Sequence, residues 1–149
     1  MKEIIRKLNT IKDELLNEKG SLLMFVLIER NDTEGKWDLL LSANWIPKTN
    51  NQSDLIYIIN KLKKEFKENL EFLSQIVIGT PTDSFILRIA RAIDKQNIEL
   101  SEEIFDLQVS PEFTIHRLYV IAMNFTDMEL ASEGVEEEGP IAVREASEF

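Results

Sequence analysis

Seven consecutive apolar residues, Leu22-Leu23-Met24-Phe25-Val26-Leu27-Ile28, are the strongest constraint in this sequence. The run is far shorter than the ~20 residues a membrane helix needs. Side chains alternate between the two faces of a strand, and here neither alternate set is polar. Residues Ser21 to Glu29 therefore read as a strand buried on both faces. Such a strand belongs inside a sheet with packing on each side.

The flanking sequence supplies the neighbours. Ile4, Ile5, Leu8, Ile11, Leu15 and Leu16 recur at spacings of three and four, which predicts an amphipathic helix, and Gly20 offers a left-handed stop. After the run, Asn31-Asp32-Thr33-Glu34-Gly35 has hairpin length and loop chemistry. From Trp37 the pattern alternates, with Trp37, Leu39, Leu41, Ala43 and Trp45 on one side and Asp38, Leu40, Ser42 and Asn44 on the other. That pattern predicts a half-buried strand antiparallel to the first. A helix capped by Ser53 follows, with core positions Leu55, Ile58, Ile59, Leu62, Phe66 and Leu70. Its lysines, Lys61, Lys63, Lys64 and Lys67, fall mostly away from that stripe and read as a solvated helix face.

A short strand, Gln75 to Ile78, ends at Gly79, and Thr80-Pro81-Thr82-Asp83 opens a third helix with Phe85, Ile86, Ile89, Ala90 and Ile93 inward. Ile104 to Val109 reads as an edge strand, and Leu118 to Met123 is a second buried run. The order α-β-β-α-β-α-β-β predicts an α+β fold: a mixed, largely antiparallel sheet of about five strands with helices packed on it.

Charge divides the chain. Residues 127–149 hold eight acids against Arg144, a net charge of −7 within a total of −10 over 149 residues. Residues 1–126 read as one globular α+β domain, and 127–149 as an acidic tail that lacks the apolar content to order alone. The expected anchor for the tail is Ile141 and Val143, with Glu136, Glu137 and Glu138 near the lysines of the second helix. The charged amino-terminal stretch does not resemble a signal peptide, so a cytoplasmic protein is expected.

Few residues suggest chemistry. With no cysteine and His116 as the single histidine, the common zinc ligand sets cannot be assembled, and no metal, cofactor or catalytic set is expected. Glu34-Gly35-Lys36 has a spacing that resembles restriction-endonuclease-like nucleases. Those residues lie at a hairpin turn with no aspartate on a preceding buried strand, so a polar hairpin is the reading. The lysines of the second helix stand beside Glu65 and Glu68 without an arginine, which argues against nucleic acid as a partner. The best ligand candidate is the strand-turn-helix from Gly79 to Arg91. Gly79, Thr80, Thr82 and Ser84 could present amides and hydroxyls at a helix amino terminus, with Arg88 and Arg91 one and two turns on. It lacks the glycine spacing and lysine of a phosphate loop.

The leading expectation is thus a non-catalytic protein-interaction or regulatory module, self-associating as a homodimer or binding another protein, with no membrane partner. The alternative is a binding protein or enzyme for a phosphorylated ligand at Gly79 to Arg91.

Overall fold

The apolar run becomes β1 (Met24–Arg30), an inner strand that pairs antiparallel with a neighbour on each edge. In the computed structural model, residues 1–33, 35–67, 69–96, 103–124 and 142–145 are described. They form α1 (Lys2–Glu18), β1, β2 (Trp37–Ser42), α2 (Gln52–Phe66), β3 (Leu73–Gly79), α3 (Ser84–Gln96), β4 (Glu103–Ser110), β5 (Phe113–Met123) and β6 (Ala142–Glu145). The strands make one mixed sheet in the order β4-β5-β1-β2-β3-β6. Only β2 and β3 run parallel, joined through α2; the other neighbours are antiparallel. This is the expected α+β architecture, extended by a sixth strand that comes from residues read as tail.

Strand alternation divides the apolar side chains between two layers. Phe25, Leu27, Trp37, Leu39, Leu41, Ile76 and Ile78 share a core with α1 and α2. Met24, Val26, Ile28, Leu40, Val77, Leu118 and Val120 share another with α3. The α1 stripe buries Leu8, Ile11 and Leu15, but Leu16 is 42% exposed, contrary to expectation. One further residue turns the side chain ~100° off the stripe. The helix stops as the sequence implies: the Lys19 and Gly20 amides donate to the Leu15 carbonyl, and Gly20 takes a φ of 108°.

Three local expectations need correction. β2 is buried on both faces rather than half-buried, because α3 covers the side carrying Asp38, Leu40 and Ser42. α2 starts at Gln52, before Ser53. Asn51 holds the cap position, where its carbonyl accepts from the Leu55 amide at 3.1 Å and its side chain makes no capping bond. Lys61 is no solvated lysine: it reaches Glu14 of α1 at 3.0 Å and also pairs with Glu18, clipping the two helices together. Those two carboxylates raise the Lys61 ammonium above its ordinary range.

No helix among the described residues is long and apolar enough to cross a membrane.

Candidate functional site

The turn before α3 is built around a carboxylate. Gly79, the last residue of β3, pairs with Ser42 in the parallel ladder. The Thr80 amide donates to Asp83 Oδ2 at 2.9 Å, the Asp83 amide donates to the Thr80 carbonyl at 3.2 Å, and the Leu87 amide donates to the Asp83 carbonyl at 2.9 Å. Thr80 and Asp83 are buried, whereas Thr82 is exposed, with its hydroxyl 3.0 Å from that of Thr80. Ser84 and Arg91 are half-buried and Arg88 is exposed. Of the residues singled out in the sequence, Gly79, Thr80, Thr82 and Ser84 are thus brought into one turn. Its Thr80 amide is already taken by a carboxylate of the chain itself. Burial raises the Asp83 carboxyl above its ordinary value, against the lowering effect of the Thr80 amide and the charge of Lys48.

Asp83→Ala is expected to cost about 1 kcal/mol in urea denaturation. The variant leaves a buried amide unpaired, which costs ~1–3 kcal/mol, but also relieves the burial of the acid. A neutral result would mean the turn holds without Asp83.

Two charged clusters lie at the β1–β2 end of the sheet. Glu29, fully buried, accepts from Arg117 Nε and Nη2 at 2.9 and 2.7 Å and from the Gly35 amide at 2.8 Å. Those bonds, Arg117's first, hold the Glu29 carboxyl below its ordinary value despite burial. The guanidinium also sits 4.7 Å from the centre of the Trp37 ring. Glu103 accepts from the Tyr119 hydroxyl at 2.8 Å and lies 3.6 Å from Arg117. On the α3 side, buried Asp38 accepts from Arg30 Nε at 2.6 Å and from Gln75 at 3.1 Å. Burial nevertheless raises the Asp38 carboxyl above its ordinary value. In both clusters the buried acid accepts from side chains on neighbouring strands, Arg117 for Glu29 and Arg30 with Gln75 for Asp38. His116, 41% exposed, stands 3.6 Å from Glu29 and 3.7 Å from Asp106. Glu34 lies outside the described residues. Among the described residues no group of three or more acids or histidines could hold a metal ion.

The two edges of the sheet differ. At the β4 edge, Asp106 takes a left-handed φ of 54°, and the register with β5 shifts between Gln108 and Ser110. A bulge and flanking acids are devices that protect an edge from pairing. Phe105 there is 59% exposed, yet a single exposed apolar side chain is ordinary. At the other end of the sheet β6 pairs antiparallel with β3 without a register shift: Gln75 with Glu145, Ile76 with Arg144, Val77 with Val143 and Ile78 with Ala142. β3 has seven residues and β6 four. Residues 125–141, with Ile141 and Glu136 to Glu138, lie outside the described residues, so the expected lysine contacts of the tail do too.

The acceptor edge was not singled out in the sequence. The available signal was the β-branched pair Ile141 and Val143 just after Pro140, read there only as an anchor.

Compared with known proteins, the chain matches no family model, no curated protein and no solved structure.

Proposed function

We propose that this chain is a non-catalytic interaction module that takes an extended segment of a partner protein onto the β3 edge of its sheet. The observation carrying this reading is the pairing of β6, a four-residue strand from beyond residue 124, with that edge. Strand addition gives affinity through main-chain hydrogen bonds and specificity through alternate side chains. Four residues fall below the usual strand length of about 5–6, so the resident strand is a weak occupant. A partner segment pairing along all seven residues of β3 gains bonds that β6 does not make.

The test uses the full chain and a fluorescent peptide of residues 133–149. Proline at position 143 removes an amide from the resident strand and disfavours its pairing. The Val143→Pro chain is expected to bind the peptide saturably and about tenfold more tightly than the unaltered chain, whose tethered strand competes at high effective concentration. A peptide itself carrying proline at position 143 should not bind. Failure of both chains to bind, or equal binding of the proline peptide, would remove the proposal.

A second reading has one observation in its favour. β2 and β3 are parallel neighbours whose connections lead to helices on opposite faces, and ligands of open sheets gather at such carboxyl ends. Ser42 stands there with a buried hydroxyl that has no hydrogen-bond partner among the described residues. A phosphorylated ligand at Gly79 to Arg91 would then raise the melting temperature, and Arg88→Ala with Arg91→Ala would abolish the rise. The interaction reading expects millimolar phosphate or nucleotide to leave the melting temperature unchanged.

A further inference from the structure

The outer flank of α2 carries information about what the acceptor edge takes. α2 packs against α1 through one side: Lys61 reaches Glu14 and Glu18, and Lys19 stands 4.9 Å from the centre of the Tyr57 ring. Its core side holds Leu55, Ile58, Ile59 and Leu62. Helical periodicity then places Ile56, Asn60, Lys63 and Lys67 on the side turned away from α1. Because α1 lies against β5 and α2 against β6, at opposite ends of the order β5-β1-β2-β3-β6, that side faces β6. Ile56 is 48% exposed, Asn60 and Lys67 are exposed, and Lys63 is half-buried. Neither Lys63 nor Lys67 forms an ion pair among the described residues, in contrast to Lys61.

The acceptor edge is therefore overlooked by an apolar side chain and two cations one helical turn apart. The strand it holds comes from a segment with eight acids and one base.

Resting on the strand-acceptor reading above, we infer that the partner is an extended acidic segment, with acids placed along Lys63 and Lys67 and an apolar residue beside Ile56. Backbone pairing with β3 supplies affinity that is indifferent to sequence. The α2 flank then sorts acidic segments from neutral or basic ones. The acidic tail of the chain is a resident example of the same chemistry. Exposed ion pairs contribute ~0–1 kcal/mol each and weaken with salt, so this selectivity is modest and strongest at low ionic strength.

The experiment compares two peptides on two chains, all measured by fluorescence anisotropy at low salt. The probes are the peptide of residues 133–149 and the same peptide with its glutamates and Arg144 changed to glutamine, which leaves no charged side chain. The chains are the full-length Val143→Pro protein and that protein with Lys63→Glu and Lys67→Glu added. The acidic peptide is expected to bind the lysine-bearing chain about tenfold more tightly than the charge-reversed chain. The neutral peptide should bind both alike, which also shows that the reversed chain is folded. Raising salt should close the gap. If the acidic peptide binds both chains equally, the acidic partner is wrong while the strand-acceptor reading stands. If neither peptide binds either chain, both are wrong.

Discussion

Leu41→Ala lowers the free energy of unfolding by about 2–5 kcal/mol, the range for truncating a fully buried leucine. Leu41 has no exposed surface and lies in β2 between two neighbouring strands, paired with Phe25 of β1 and Ile78 of β3. Its side chain enters the layer shared with α1 and α2, so the cavity opens among three elements that cannot all close on it. The lost transfer energy and the cavity both count. Urea denaturation measures the effect, and a change under about 0.5 kcal/mol would place Leu41 at the surface and reverse the register of β2.

Arg117→Met is expected to cost about 3 kcal/mol near neutral pH. The variant leaves Glu29, which has no exposed surface, as a buried charge whose bidentate partner is gone. The lower end of the 3–5 kcal/mol range applies because Arg117 is itself 30% exposed. The pH dependence identifies the cause. In the unaltered chain Glu29 is held below its ordinary value, so its contribution is full above that value. It is lost as pH falls through the lowered one. Without Arg117, burial raises the Glu29 carboxyl instead, and protonation at low pH relieves the penalty. The deficit of Arg117→Met should shrink on acidification, and Glu29→Gln should flatten the acid limb. A deficit independent of pH would assign the loss to packing against Trp37.

What the sequence disclosed follows from how local the signals are. The run Leu22 to Ile28 sufficed for an inner strand because no neighbour was needed to interpret it. The stripes of α1 and α2 were legible for the same reason. Asp38 was not: a polar residue in an alternating strand reads as solvent-facing, and its donors, Arg30 and Gln75, come from other strands. Lys61 was misread because its acids lie on α1, more than forty residues earlier. At the turn before α3, the residue types implied free donors for an anion. That Asp83 folds back onto the Thr80 amide is a matter of backbone geometry that composition does not encode. The acceptor edge was hardest to see, because β6 is four residues inside the most acidic part of the chain.

Amide hydrogen exchange along Leu73 to Gly79 tests the strand-acceptor claim most directly. It is measured on the full chain, on Val143→Pro, and on Val143→Pro with saturating peptide of residues 133–149. β6 pairs only with Gln75 to Ile78, so opening that edge should speed exchange there and leave β1 and β2 unchanged. The account predicts faster exchange in β3 of the variant and restored protection when the peptide is added. Equal exchange in all three samples would contradict it.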